Sequence, residues 1–306
     1  MKLVKDENNK VDFKENLNKY QEIINEELVK YLRKENCPEE VLNKSMEYSL
    51  MAGGKRLRPI LVLETYKLFK EDYEKVFPYA IAIEMVHNAS LIHDDLPGID
   101  NDDIRHNKPT NHKKFNEATA ILAGDGLFNY ANIVISNDLL NTKNDEELKR
   151  KIKILNEFSI ATDRMLAGEY LDTECEGKEI SSLELEYIHK NKTGAYLKLC
   201  ARMGAILGGC TDLELQKITT YSEKIGLAFQ IKDDILSEIG NEKITGKPVG
   251  NDKEKGKCTY ISEYGLEESK KILHQITNEA ISMLDEFGKK AEFLKELARF
   301  IETRNK

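Results

Sequence analysis

The stretch that decides the fold is SLIHDDLPGIDNDD, residues 90–103. The residues before it, from about Tyr79, are mostly apolar and predict a helix with little face left for solvent. A polar line runs through that helix at spacings of three and four, which places its members on one face. Its polar members are Glu84, His87, Asp94 and Asp95, and the apolar Leu91 lies on the same line between them. Pro97 and Gly98 end or kink the helix. Carboxylates at the end of a helix buried nearly all round are costly unless a cation meets them.

A second apolar helix, GLAFQIKDDILS at residues 226–237, carries a similar polar seam. Gln230 lies one turn before Asp233 and Asp234. If the two helices face each other, at least four carboxyl groups converge around one cavity. Such a cavity suits a hard divalent cation, and Mg²⁺ usually keeps waters and takes substrate phosphates as further ligands. The two stretches together therefore predict a Mg²⁺-diphosphate clamp.

The alternative is that these aspartates are solvated helix ends, which is the usual meaning of a lone DD pair. Two pairs embedded in apolar helices favour a site instead. An EF-hand is excluded, because the ligand spacing and the closing Glu are missing.

The segment MAGGKRLRP, residues 51–59, predicts a short basic turn between two helices. A helix over Glu39–Met51 would end at a Gly-Gly C-cap, and Pro59 would open the next helix. Lys55, Arg56 and Arg58 lie between them. Guanidinium groups bind phosphate oxygens in a bidentate way and an ammonium supplies a point charge, so the turn predicts an anion site. An ordinary basic turn is the alternative.

Three further places carry candidate groups. Arg105 follows the first acidic stretch and is positioned to face a metal-bound phosphate, whereas His106 and His112 have no metal-ligand partner at suitable spacing. Lys192 lies in a polar break of a helical pattern, where it can contact phosphate. The Gly- and Lys-rich segment 245–257 is the best lid candidate, with a solvated loop as the alternative.

Composition narrows the function class. The chain has 306 residues and a net charge of −8, which argues against nucleic acid as the main partner. It contains no run of 18 apolar residues and no apolar segment of signal-peptide type near Met1, so neither a membrane span nor secretion is predicted. Five scattered cysteines without a CxxC pair predict reduced thiols in a cytoplasmic protein and no zinc site.

Helical periodicity dominates the chain, for example at Ile152, Leu155, Phe158 and Met165, and no stretch alternates as an amphipathic strand does. Length alone would allow two domains. With only six prolines and no linker-like segment, we predict one all-α domain over residues 1–306, a helical bundle around a central cavity.

Five motifs in order, GGKRLRP, SLIHDDLPGIDNDD, KTG, GLAFQIKDDIL and GKCTY, resemble the trans-isoprenyl diphosphate synthase family from about Leu50 to the C-terminus. That family includes farnesyl and geranylgeranyl diphosphate synthases. The resemblance implies the all-α isoprenoid synthase bundle, generally a homodimer. It implies a prenyltransferase that joins isopentenyl diphosphate to allylic diphosphates with about three Mg²⁺ ions per site. The proton lost after condensation is expected to go to the departing diphosphate.

The resemblance also assigns roles to residues. Those matching the metal-binding aspartates are Asp94, Asp95, Asp100, Asp233 and Asp234. Those matching groups around the allylic substrate are Arg105, Lys192, Thr193, Gln230, Lys247 and Lys257. Those matching the isopentenyl diphosphate pocket are Lys55, Arg58 and His87, with His106 beside them. Arg304 resembles the basic C-terminal end that closes over that second substrate.

Product length is predicted from helix geometry. A helical turn rises about 5.4 Å, close to one isoprene unit, so residues one turn before Asp94 form the floor for the growing chain. In relatives that stop at fifteen carbons, the fifth position before the first Asp is often aromatic, whereas here it is Ala89, followed by Ser90. Small side chains predict geranylgeranyl rather than farnesyl diphosphate. The alternative is a floor formed by Met85 or by a neighbouring helix.

Three positions depart from the family pattern. His106 replaces a usual Arg, Ser237 replaces the last Asp of the second motif, and Glu169 replaces the Gln of a GQ-x-x-D segment. We therefore expect a weaker isopentenyl diphosphate pocket, because a histidine is only partly charged at neutral pH. The departures leave two alternatives, a class I terpene synthase-like enzyme that ionises a single allylic diphosphate, and a noncatalytic subunit.

Overall fold

Helices make up nearly all of the secondary structure. The computed structural model describes residues 3–5, 12–32, 38–175, 177–178, 180–239 and 259–305. Within those ranges the only strands are two residues long, so the prediction of an all-α fold is confirmed. Contacts divide the chain into two compact units, residues 1–63 with 71–152, and residues 64–70 with 153–306. The single domain predicted over 1–306 stays a prediction.

The first unit is built mainly on one buried helix. Its helices are α1 (Phe13–Tyr31), α2 (Glu40–Leu50), the start of α3 (Leu57–Lys67), α4 (Phe77–Asp94), α5 (Asn111–Lys114), α6 (Glu117–Leu140) and the start of α7 (Asp145–Glu174). A 3₁₀ turn, Tyr73–Val76, precedes α4, and an antiparallel hairpin of β1 (Ile104–Arg105) and β2 (Lys108–Pro109) follows it.

Helix α4 is buried nearly all round, as its sequence predicts, and the residues from Tyr79 to Val86 are each 3% exposed or less. It packs on α6, whose buried face is made of small residues such as Ala120, Ala123 and Gly124. A Cβ atom at Gly124 would lie 2.1 Å from Nε2 of His93. Glycine at this position therefore leaves the space that the His93 ring of α4 occupies against α6.

The hairpin after α4 is anchored to α2 through one buried side chain. The Asn111 amide donates to the Ser45 carbonyl at 2.9 Å and to the Ser49 hydroxyl at 2.8 Å, and its oxygen accepts from the Ser45 hydroxyl at 2.8 Å. Because the buried amide uses both donors and its acceptor, it holds the chain that follows the acidic stretch in one place.

The second unit contains the end of α3, most of α7, then α8 (Ser182–His189), a π-helical turn (Lys190–Gly194), α9 (Ala195–Gly208), α10 (Asp212–Ile239), and the helices Tyr260–Tyr264, Leu266–Ser282 and Glu292–Thr303, with a 3₁₀ turn at Asp285–Ala291. Helix α10 packs against α9 and the helix Leu266–Ser282. Its buried Tyr221 donates a hydrogen bond to the Leu294 carbonyl at 2.7 Å, which ties α10 to the last helix.

Several details differ from the sequence prediction. Helix α2 ends at Leu50, and Gly53 and Gly54, with φ of 129° and 111°, lie in the loop beyond its C-cap. The hairpin was not predicted, because two residues per strand carry no alternation. The polar break around Lys192 in the helical pattern is a π-helical turn. Helix α6 is long and apolar enough to cross a membrane by length and composition alone, with 39% of its most apolar window buried. Buried helices of non-membrane proteins meet the same criterion.

Candidate functional site

The end of α4 presents the first acidic stretch on a tight loop. The backbone N–H of Asp100 donates to the Asp94 carbonyl at 2.8 Å, and Asn101, in a left-handed conformation with φ of 51°, bonds back to Leu96. The loop thereby returns Asp100 to the end of the helix that carries Asp94. This arrangement follows from Pro97 and Gly98, which stop the helix as predicted.

Asp95 is bound by Arg105 from the hairpin. The Arg105 Nε atom lies 2.8 and 2.9 Å from the two oxygens of Asp95, and Nη2 lies 2.6 Å from Oδ1. Asp95 is 3% exposed, so this cation is the partner that a buried carboxylate requires. Burial disfavours the charged guanidinium, but the hydrogen bond to Asp95 and the charges of the surrounding aspartates together outweigh it and raise the pKa of Arg105. Burial also raises the pKa of Asp95, against the opposing effect of its hydrogen bond to Arg105 and of the Arg105 charge.

Arg58 and His87 lie together on neighbouring helices. Nη1 of Arg58 is 3.1 Å from Nε2 of His87, and because a guanidinium only donates, Nε2 is the acceptor. Burial, and then the charges of Arg58 and Arg105, lower the pKa of His87 well below its usual range. A neutral His87 therefore orients Arg58 within a strongly cationic pocket.

Arg56 does not serve the anion site that the basic turn predicts. Its Nη1 lies 2.6 Å from Oε1 of Glu84, and its Nε and Nη2 donate to Asn25 and to the Leu50 carbonyl. Arg56 and Glu84 are each 3% exposed. This buried ion pair fixes the left-handed backbone of Arg56, with φ of 55°. Arg56 therefore holds the turn in place, and of the three cations only Lys55 and Arg58 are half-exposed.

His106 lies beside the same turn. Its ring would be 3.7 Å from a Cβ atom at Gly54, so the hairpin and the Gly-Gly loop are adjacent. Burial, together with the charges of Arg105, Arg56 and Lys108, lowers the pKa of His106. The side chain that replaces the usual family Arg therefore carries less positive charge at pH 7 than the partly charged histidine predicted from the sequence.

The second acidic pair lies on α10 in the second unit. Asp234 is 8% exposed, and its Oδ2 accepts a hydrogen bond from the backbone N–H of Tyr260 at 2.8 Å. Asp233 is more exposed and is paired with Arg304, whose Nη2 lies 2.5 Å from its Oδ1. The Arg304 guanidinium also lies 4.0 Å over the ring of Phe229. In the described part of the chain, Arg304 therefore contacts the second acidic pair through Asp233.

Lys192 is enclosed by two carboxylates. Its Nζ lies 2.8 Å from Glu169 and 2.6 Å from Asp172, both on α7. Burial favours the neutral amine, but the two carboxylates outweigh it and raise the pKa of Lys192. Gly168 permits this contact, since a Cβ atom there would lie 2.3 Å from the Lys192 backbone nitrogen. The Glu that replaces the usual Gln thus adds a second negative charge beside Lys192.

The donor set suits Mg²⁺ in chemistry, because every predicted ligand is a carboxylate oxygen. Within the described residues, no group of three or more His, Cys, Asp or Glu side chains is arranged to hold a metal ion on its own. Bound metal would then take further oxygens from water and diphosphate, as Mg²⁺ commonly does. The convergence of the two acidic pairs on one cavity stays a prediction.

The remaining predicted residues have the following places. Lys247, Lys257 and the lid segment 245–257 lie outside the described residues. Thr193 lies in the π turn and Gln230 on α10, and both are half-buried. A cavity of about 480 Å³ between α7 and the α8–α9 region is lined by none of the predicted residues, and we do not assign the site to it. Asp172, His189 and Tyr260 were not singled out by sequence reasoning, although Asp172 closes the segment whose Glu169 was noted.

Comparison with known proteins identifies relatives over most of the chain. A family model described as polyprenyl synthetase matches residues 39–297. A farnesyl diphosphate synthase of Geobacillus stearothermophilus is 42% identical over 84% of this chain and 86% of the relative. A geranylgeranyl diphosphate synthase of Cyanophora paradoxa is 41% identical over 90% of this chain and 95% of the relative.

Solved structures agree with these relatives. The crystal structure of a protein from Zymomonas mobilis, described as an FPP/GFPP synthase, superposes with a TM-score of 0.84 at 32% identity. The match covers 95% of this chain and 99% of that one.

Proposed function

This chain belongs to the polyprenyl synthetase family and is a short-chain prenyltransferase, and we propose that it extends allylic diphosphates with isopentenyl diphosphate to geranylgeranyl diphosphate. Relatives of similar identity are named for either the farnesyl or the geranylgeranyl product, so the names do not decide between them. The observation that supports the longer product is the small side chain of Ala89. It lies five residues before Asp94 on α4, is completely buried and has a small side chain.

We propose that Mg²⁺, three ions per site, is held by the two acidic pairs together with Asp100. Bound Mg²⁺ would supply Lewis-acid assistance to the departure of diphosphate from the allylic carbon. The cations of this chain supply the rest of the charge. Arg58, aligned by His87, and Lys55 bind isopentenyl diphosphate, whereas Lys192 provides a cationic donor for the allylic diphosphate. No nucleophilic side chain is required.

The ion pair between Arg105 and Asp95 affects how the enzyme binds metal and diphosphate. The Arg105 guanidinium neutralises the buried Asp95 carboxylate before any metal ion binds. Binding of Mg²⁺ and diphosphate offers each partner a replacement, the metal for Asp95 and a phosphate oxygen for Arg105. We therefore propose that the two ligands bind together at this place, because either alone would break the pair between Asp95 and Arg105 and replace the partner of only one of them.

The direct test is a product assay. Purified protein is incubated with labelled isopentenyl diphosphate and dimethylallyl, geranyl or farnesyl diphosphate, with and without Mg²⁺, and the products are sized. We expect a C20 product that requires Mg²⁺. A clean C15 product would refute the proposed length, and release of hydrocarbon from farnesyl diphosphate alone would refute chain elongation.

Replacing Ala89 by Phe is expected to make farnesyl diphosphate the main product. The ring would project from α4 between one and two turns before Asp94 and shorten the path proposed for the growing chain, and a turn of 5.4 Å corresponds to about one isoprene unit. Chain-length analysis of the products measures the change. Ala89→Ser, which stays small, is the control and should keep the C20 product. An Ala89→Phe enzyme that folds normally and still makes C20 contradicts the assignment of the floor.

Replacing His106 by Arg is expected to lower KM for isopentenyl diphosphate by about tenfold or more. A charge-assisted hydrogen bond is worth roughly 1.5–3 kcal/mol, and 1.4 kcal/mol corresponds to about a factor of ten. His106→Gln is the matched control. Like the Arg variant it places a non-glycine side chain at the left-handed position 106, but it adds no positive charge. An unchanged KM in the Arg variant would place His106 outside the isopentenyl diphosphate pocket.

We also propose that the enzyme is a homodimer in the cytoplasm. Leu122, Ile133 and Leu140 are spaced 11 and 7 residues apart on α6, which puts them on one face. They are 56%, 37% and 84% exposed, respectively. Sedimentation of the purified protein tests the dimer, and a monomer at micromolar concentration would refute it.

A further inference from the structure

The two aspartates of the second acidic pair are held in different ways. Asp233 is half-exposed and its partner, Arg304, is a long side chain. Asp234 is buried, and its Oδ2 accepts a hydrogen bond from the backbone N–H of Tyr260. A side-chain partner can rotate away, whereas a backbone donor moves only if the chain itself moves.

The segment that carries this donor is fixed on both sides. Around it, Thr259 and Ser262 form a reciprocal capping box, in which each side chain accepts from the other residue's backbone N–H at 3.2 and 2.9 Å. After it, the hydroxyl of the fully buried Ser269 lies 3.1 Å from the Tyr260 carbonyl and 2.8 Å from the Gly265 carbonyl, and its one proton is shared between these two acceptors. The Tyr260 N–H is therefore preorganised toward Asp234.

The ring of Tyr260 makes a separate contact. It stacks on His189 with 6.0 Å between ring centroids and 14° between planes. His189 is the residue before the π turn that carries Lys192. Burial lowers the pKa of His189 to about 4, so the ring is neutral and packs as an apolar group. One residue thus contacts an acidic-pair aspartate through its backbone and the flank of the Lys192 turn through its ring.

We propose that Tyr260 is a positioning residue, whose backbone N–H fixes the Asp234 carboxylate for metal binding. Hydrogen bonds to a ligating carboxylate orient it, and their loss typically weakens metal affinity by about 10- to 100-fold. The inference rests on the proposed function only in taking Asp234 as a metal ligand.

The geometry allows the N–H and the ring to be tested separately. Tyr260 is the first residue of its helix, where proline is well tolerated because that N–H makes no intrahelical bond. Thr259 has φ of −134° and ψ of 163°, the extended conformation favoured before proline. Tyr260→Pro therefore removes the donor and the ring, and Tyr260→Ala removes the ring alone. The difference between these two variants reports the hydrogen bond to Asp234.

The experiment measures Mn²⁺ affinity by electron paramagnetic resonance in the presence of inorganic pyrophosphate, and the Mg²⁺ concentration that gives half-maximal synthase activity. We expect Tyr260→Pro to bind Mn²⁺ about 10- to 100-fold more weakly than Tyr260→Ala and to need correspondingly more Mg²⁺. Its KM for isopentenyl diphosphate at saturating Mg²⁺ should match that of the Ala variant. Equal metal affinities in the two variants would overturn the proposal.

A second pair of variants excludes a general effect of proline on the fold. In an Asp234→Ala background, the Pro and Ala variants should have the same residual Mn²⁺ affinity, because the acceptor is gone. A difference that persists there would show that proline acts through the helix and would also overturn the proposal. Failure of the proposed function is recognised separately, since native protein would then bind no metal with pyrophosphate or show no synthase activity.

Discussion

Replacing Asp234 by Asn is expected to lower kcat by about 10²- to 10³-fold, equivalent to roughly 3–4 kcal/mol of transition-state stabilisation. Asp234 is the more buried member of its pair, and it is oriented by a backbone donor. Asn keeps the size and one oxygen, so folding should be retained while the negative charge that attracts Mg²⁺ is lost. Steady-state kinetics at several Mg²⁺ concentrations measure the effect.

The matched control is Glu238→Gln, which removes a carboxylate four residues later on α10 at an exposed position. We expect it to change kcat less than twofold, because an exposed carboxylate is screened by water and salt. If Asp234→Asn retained activity within tenfold of native enzyme, or if Glu238→Gln lost as much, the assignment of Asp234 as a metal ligand would be wrong.

Replacing Arg56 by Met is expected to lower the free energy of unfolding by about 3–5 kcal/mol, the usual range when one partner of a buried ion pair is removed. Glu84 would remain inside an apolar helix without its cation, and the left-handed conformation of residue 56 would lose the bonds that support it. Urea unfolding followed by circular dichroism measures the change.

The double variant Arg56→Met with Glu84→Leu distinguishes charge burial from lost packing. It removes both ions, so it should be more stable than Arg56→Met alone, although Asn25 and the Leu50 carbonyl still lose a donor. A double variant no more stable than the single one would contradict the argument. Arg58→Met should cost much less than Arg56→Met, because Arg58 has a neutral histidine rather than a buried carboxylate as its partner.

The sequence predicted the parts of the site that depend on local order. The polar line on α4, the stop at Pro97 and the basic turn all follow from helical periodicity and the special backbones of Pro and Gly. The need for a cation beside the buried carboxylates was also predictable. Which cation meets which carboxylate was not, since Arg56 with Glu84 and Arg105 with Asp95 are separated by 28 and 10 residues.

Other features of the structure have no recognisable pattern in the amino-acid sequence. A hairpin with two residues per strand is too short to show alternation, and left-handed residues such as His106 have no local signal in a non-glycine side chain. The departure at Glu169 was visible, but its meaning depended on Lys192, 23 residues later. The role of Tyr260 is carried by a backbone N–H, which every residue except proline possesses, so the side-chain pattern could not reveal it.

The π-helical turn at Lys190–Gly194 determines how far the side chains of α9 are rotated about the helix axis relative to those of α8. Each of its hydrogen bonds spans one residue more than an α-helical bond, so the turn displaces every later side chain by about 100° from an uninterrupted helix. The surplus residue thus lets α8 present one face while α9 buries another, with Lys192 and Thr193 at the junction. A deletion of one residue here would restore a regular helix and rotate the whole buried face of α9 out of alignment with α10.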